Sequence, residues 1–176
     1  MVSPASIEED LWRRDFSVNA LAVCLLPDRF GELLDPTGGV GDLERRWIRA
    51  LHARSLVDDP TRIVRAVGFE QRLGFTLEPE TEQWLAAAVR GGALGTVSTE
   101  RLAEALLPLL GNCAGPDVLA RLRELGVLEA MKVLGPRPGR RSGAMADVKL
   151  ALAALGEAEE PHHRAVACLV ALLVEQ

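Results

Sequence analysis

The sequence predicts a mainly α-helical chain with one short β-hairpin near the N-terminus, and three observations predict it. Aromatic residues make up only 4% of the chain, with no Tyr, whereas strands favour aromatic and β-branched residues. Alanine and leucine, both strong helix formers, dominate the second half. Helix start and stop signals recur from Gly41 onward, and a hairpin pattern is confined to the stretch before it. With 48% hydrophobic residues in 176, the chain can bury a core, as one ordinary domain or two small ones.

Element by element, an acidic turn at Glu8, Glu9 and Asp10 leads into a short helix and then a strand. Residues 21–26, the polar turn Pro27-Asp28-Arg29 and residues 30–34 read as the hairpin, which the breaker cluster Asp35-Pro36-Thr37-Gly38-Gly39 ends. Asp59-Pro60 starts a helix, since Asp can cap and Pro suits the first helical position. That helix should run from 60 to 73, with Ile63, Val64, Ala66 and Val67 inward and Gly74 closing it. Further helices are predicted over 76–90, capped near Glu78-Pro79, and from Ser98 or Thr99, distorted near its end by Pro108. A linker at 112–115, a helix over 116–125, a Gly/Pro/Arg-rich loop at 135–143 and two Ala/Leu-rich helices complete the chain.

The net charge of −5 argues against a uniformly basic nucleic-acid binder but leaves room for a local basic groove. Cys24, Cys113 and Cys168 lie far apart without zinc spacing, and together with the acidic N-terminus they predict a reduced, cytoplasmic protein. The most apolar stretch, 165–174, is too short to cross a bilayer, so no membrane partner is expected.

Asp58-Asp59-Pro60-Thr61-Arg62-Ile63-Val64-Arg65 is the most informative segment. Asp59 can project beside Arg62, placing an acceptor-only group next to a forked donor. Cytosine and adenine each present an exocyclic amine donor next to a ring-nitrogen acceptor, which this pair complements. Guanine and uracil present a carbonyl and an N–H, and a mismatch would leave buried groups unpaired at roughly 1–3 kcal/mol each. Arg65 would reach the triphosphate of the same nucleotide. On spacing alone, a capping Asp with a solvated basic face is the simpler reading. Arg13-Arg14-Asp15-Phe16-Ser17-Val18-Asn19 alone reads as a charged helix start, and Glu100, Arg101 and Glu104 as a salt-bridged surface helix. His162-His163 lacks ligand partners, no P-loop or nucleophilic triad stands out, and Arg137–Arg141 reads equally as a basic loop able to touch RNA phosphates or as a mobile solvated loop.

Taken in order, Arg-Arg-Asp-Phe-Ser-Val-Asn-Ala at 13–20, Asp35-Pro36 through Gly39 with Asp42-Leu43 and Ile48-Arg49, Asp58 to Ala66, Leu73-Gly74-Phe75 and Glu100-Arg101-Leu102 resemble the class II tRNA nucleotidyltransferases (CCA-adding enzymes) and their bacterial poly(A) polymerase relatives. The resemblance runs from about residue 7 to 110. It implies a remnant of a nucleotidyltransferase head at 1–40 (the hairpin), a helical, nucleotide-reading neck at 41–111, and a helical body at 112–176 that begins the RNA-binding region. It implies that Arg14 and Asp15 contact the nucleotide's sugar and phosphates, that Asp59 and Arg62 read C and A, and that Arg65 continues those contacts. Asn19, Glu100 and Arg101 are implied as supporting residues, the last two bracing the reading helix. CTP and ATP are the implied substrates, with a tRNA or other RNA 3′ end and a missing head domain or separate subunit as partners. The Mg²⁺ of the complete enzyme would be bound by a carboxylate pair upstream of Arg13, which this sequence lacks, so no metal ligand is expected in it and the chain by itself is expected to be inactive. A non-catalytic RNA- or partner-binding helical module derived from the family is the alternative. One departure stands out: the next arginine of the family's series after Arg62 and Arg65 is Gly68 here, an expected loss of positive charge at the site.

Overall fold

The computed structural model describes residues 6–110 and 115–133. Helices α1 (Ile7–Trp12), α2 (Gly39–Arg45), α3 (Ser55–Asp58), α4 (Thr61–Leu73), α5 (Pro79–Arg90), α6 (Thr99–Leu110), α7 (Gly115–Glu124) and α8 (Val127–Val133) dominate it. Two small sheets complete it: β1 (Ala22–Val23) with β2 (Leu33–Leu34), and β3 (Trp47–Ile48) with β4 (Thr76–Leu77). The mainly α class holds, and so does the hairpin, whose antiparallel register pairs Ala22 with Leu34 around a 3₁₀ turn at Pro27–Arg29.

Helix α4 is the axis of the fold. Ile63, Val64, Ala66 and Val67 are all fully buried, and Gly74 ends the helix at φ 64°, a left-handed conformation that suits a residue without Cβ. Burying each Ile or Val side chain contributes about 1.5–3 kcal/mol, so this face fixes the helix in place. It packs against α6 and α7, and Val118, Leu122 and Val127 share its core.

One local expectation needs correction, and two others gain detail. The helix expected from 76 begins at Pro79, because Thr76–Leu77 forms β4, parallel to Trp47–Ile48 in register Trp47–Thr76 and Ile48–Leu77. Glu78 then caps α5, its carboxylate accepting from the Thr81 N–H at 2.7 Å. The breaker cluster also starts a helix: the Asp35 carboxylate accepts from the N–H groups of Gly39 and Val40 at the head of α2. Helix α6 runs through Pro108 to Leu110, and Ser98 caps its start by accepting from the Arg101 N–H at 3.3 Å.

What positions the N-terminal segment is Phe16. It is fully buried, forms a β-bridge to Ala50 and meets Phe69 of α4 edge-on, ring centroids 5.5 Å apart. The residues just before it are thereby delivered beside the start of α4. Residues 112–114 of the expected linker, the 135–143 loop with its arginines, His162-His163, Cys113, Cys168 and the two C-terminal helices lie outside the described residues, and Gly115 already begins α7.

Candidate functional site

A cleft of about 430 Å³ is lined by Arg13, Arg14, Asp15, Asn19, Asp59, Arg62 and Arg65. Every residue expected to contact nucleotide therefore shares one cavity, although Asp15 and Asp59 are far apart in sequence. The structure adds Arg13, which the sequence offered only as part of a charged run.

Each charge is held differently. Asp15 is 6% exposed; its Oδ1 accepts from the Phe16 N–H at 3.0 Å and from the Asn19 amide at 3.2 Å. Its Oδ2 has no aligned hydrogen bond but lies 2.5 Å from an Arg65 nitrogen, an ion pair by proximity rather than direction. Asp15 thus spends its carboxylate on holding Asn19 by a hydrogen bond and Arg65 by charge. Arg14 pairs with Asp10 on the exposed surface of α1 at 2.8 Å.

Asp59 and Arg62 do not pair with each other. Asp59 Oδ1 accepts from the Thr61 N–H at 3.2 Å and the Thr61 hydroxyl at 2.7 Å, with an Arg101 nitrogen 3.6 Å away. Its Oδ2 takes no hydrogen bond from the described residues. Arg62 donates to the Ser55 hydroxyl and, at 2.9 Å, to the Arg13 carbonyl. Arg101 does not line the cleft but pairs with Asp59 at its edge; the Glu100 side chain lies outside the described residues. An acceptor and a forked donor are each pinned from behind, and neither is neutralised by the other.

Four arginines against two aspartates make the lining cationic, a setting for a polyanion. It does not suit a divalent metal, whose charge the guanidinium groups would repel. No group of three or more His, Cys, Asp or Glu is placed to hold a metal among the described residues. Nor is any described helix long and apolar enough to cross a membrane.

Gly68 is not in the cleft. A Cβ there would come within 2.5 Å of a Leu109 methyl, so position 68 faces α6. The expectation of a charge lost from the site is corrected: a residue three further along a helix falls about 60° short of a full turn, and two such steps carry 68 away from Arg62. Two residues of consequence carried no sequence signal. Ser55 is fully buried behind Arg62. Glu70, on the far end of α4, is bound bidentately by Arg121 of α7.

Residues 2–49 match the poly A polymerase head domain, through α2 and β3. The A-adding tRNA nucleotidyltransferase of Geobacter sulfurreducens is 42% identical over 127 residues, which cover 72% of this chain and 14% of that protein. The CCA-adding enzyme of Geobacillus stearothermophilus is 39% identical over 124 residues, 69% of this chain and 29% of its own. Among solved structures, a CCA-adding enzyme in complex with ATP superposes with a TM-score of 0.78 at 33% identity, over 96% of this chain and 40% of that one. The Thermotoga maritima CCA-adding enzyme complexed with tRNA gives 0.74 at 35% identity, over 93% and 40%. This chain belongs to the family of tRNA nucleotidyltransferases and poly(A) polymerases. It spans less than a third of the length of the two relatives named. Within this nucleotidyltransferase family, sequence and fold agree on the region that carries the cleft.

Proposed function

We propose that this chain is the nucleotide-reading part of a template-independent RNA nucleotidyltransferase that adds C, A or both to RNA 3′ ends, as in CCA addition to tRNA. The observation that carries the reading is that Asp59 and Arg62 line one cationic cleft without pairing with each other. Asp59 accepts from the exocyclic amine of C or A, and Arg62 donates to the adjacent ring nitrogen. Arg13, Arg14 and Arg65 hold the triphosphate, with Arg65 kept at the cleft by its ion pair with Asp15. The RNA 3′ end approaches the same cleft, and phosphoryl-transfer chemistry needs a Mg²⁺ site that the cleft itself does not offer.

Titration of the chain with each nucleoside triphosphate, by calorimetry or NMR, tests this. CTP and ATP are expected to bind about tenfold or more tighter than GTP and UTP, the equivalent of one or two unpaired groups. Asp59→Ala and Arg62→Ala are expected to erase that preference while the thermal midpoint stays close to that of the unaltered chain. Equal affinity for all four nucleotides would refute the proposal.

A further inference from the structure

Ser55, the first residue of α3, touches both members of the proposed reading pair. Its carbonyl accepts from the Asp59 N–H at 3.3 Å, and its hydroxyl accepts from one terminal nitrogen of Arg62. The other terminal nitrogen of Arg62 is held by the Arg13 carbonyl, on a segment 49 residues away in sequence. The helix does not need this hydroxyl. The Ser55 N–H is already satisfied by the His52 carbonyl at 2.9 Å, and alanine is a better helix former than serine. Among the described residues, the hydrogen bond that the hydroxyl makes is the one to Arg62. It is also fully buried, so water does not stand in for the guanidinium as it would on the surface.

A guanidinium discriminates by the direction of its N–H groups, and a long side chain without anchors presents them in many directions. Two acceptors on two terminal nitrogens fix the plane. The remaining N–H groups then meet a base edge in one orientation, beside the free Oδ2 of Asp59.

We propose that Ser55 is a positioning residue for base selection, its buried hydroxyl and the Arg13 carbonyl together fixing the plane in which Arg62 meets the base. This rests on the reading of Asp59 and Arg62 as the base-reading pair. Ser55 touches no nucleotide and acts through Arg62 alone.

The test uses the whole chain with three substitutions. Ser55→Ala removes the acceptor; Ser55→Cys keeps the volume but offers only a weak sulfur acceptor; Ser55→Thr keeps the hydroxyl. In the nucleotide-free chain, the terminal N–H groups of Arg62 are expected as separate, slowly exchanging NMR signals. They should merge in Ser55→Ala and Ser55→Cys and stay separate in Ser55→Thr. The preference for CTP and ATP over GTP and UTP should fall about fivefold or more in the first two variants and return in the third. Affinity for inorganic triphosphate, carried by the other arginines, should be unchanged in all three. The proposal is overturned if Ser55→Ala leaves the Arg62 signals separate, or leaves a selective chain as selective as before. Equal binding of all four nucleotides by the unaltered chain sinks the base-reading pair itself, an outcome distinct from loss of the Ser55 role. Isosteric Ser55→Cys separates lost positioning from lost packing.

Discussion

The two ends of α4 carry the same kinds of side chain and use them in opposite ways. At the C-terminal end, Glu70 is 7% exposed, and both its oxygens are used, on the Leu77 N–H and on Arg121. Arg121 in turn reaches Glu82 at 2.6 Å and Glu124 at 3.3 Å. Burial works against the Arg121 charge, but the hydrogen bonds it donates to Glu70 and Glu82 outweigh this and hold its pKa above the ordinary arginine value. At the N-terminal end, Arg62 and Asp59 are anchored from behind and not paired with each other, and Asp59 Oδ2 accepts no hydrogen bond from the described residues. A saturated network ties α4, β4, α5 and α7 together. An unsaturated one has capacity left for a ligand. Charge type does not separate structure from function here; the degree of satisfaction does.

The sharpest way to break that contrast is to remove one arginine from each end. Arg121→Met leaves the Glu70 carboxylate buried with only the Leu77 N–H, and is expected to cost roughly 3 kcal/mol of stability. Arg65→Met leaves Asp15 with both Oδ1 hydrogen bonds intact and only the buried Oδ2 without a counter-charge; since Arg65 itself is half-exposed, the cost should be smaller, about 1–2 kcal/mol. Urea unfolding of both variants reads the difference. If the two losses match, the distinction between the ends of the helix is wrong.

Gly68 sharpens the comparison along the helix. Since its missing Cβ makes room for Leu109, Gly68→Arg is expected to lose about 1–3 kcal/mol and to add nothing to nucleotide affinity. Leu109→Ala in the same chain should relieve the collision, so the double variant should lose less than the two single losses added. A tighter nucleotide complex in Gly68→Arg would place position 68 back at the cleft.

How much of this was legible follows from where the information resides. Helix α4 was readable from end to end, because Asp59-Pro60, the buried face and Gly74 are all local signals. Arg14, Asp15, Asp59, Arg62 and Arg65 came together through the order of motifs, since no periodicity links residues on separate elements. The two-residue strands β3 and β4 were not readable: each is too short for alternation, and their pairing is a long-range event. Arg121 and Glu70 stand 51 residues apart and looked like ordinary helix charges. Ser55 was invisible for a related reason, since a serine declares its role only when its partner is seen.

Glu78 offers the finest test, because it sits between the two kinds of charge. It is half-buried, its N–H donates to the Ile48 carbonyl of β3 at 3.1 Å, and its carboxylate caps α5 through the Thr81 N–H at 2.7 Å and the Thr81 hydroxyl at 2.9 Å. Burial pushes its carboxyl up, but the backbone N–H groups of Thr81 and Glu80, the Thr81 hydroxyl and the Arg49 charge outweigh this and hold it below the usual range. A lowered folded-state value means that unfolding takes up a proton in acid. The stabilisation is therefore complete above the ordinary carboxylate value and fades as pH falls through the lowered one. Glu78→Gln keeps an acceptor and removes the titration. It should be less stable than the unaltered chain by about 0.5–1 kcal/mol at neutral pH, the scale of a helix cap. The gap should close on acidification, as thermal unfolding of the two chains across the acid range would show. A gap that persists below the lowered value would mean that Glu78 stabilises by shape rather than charge, unlike the charges at either end of α4.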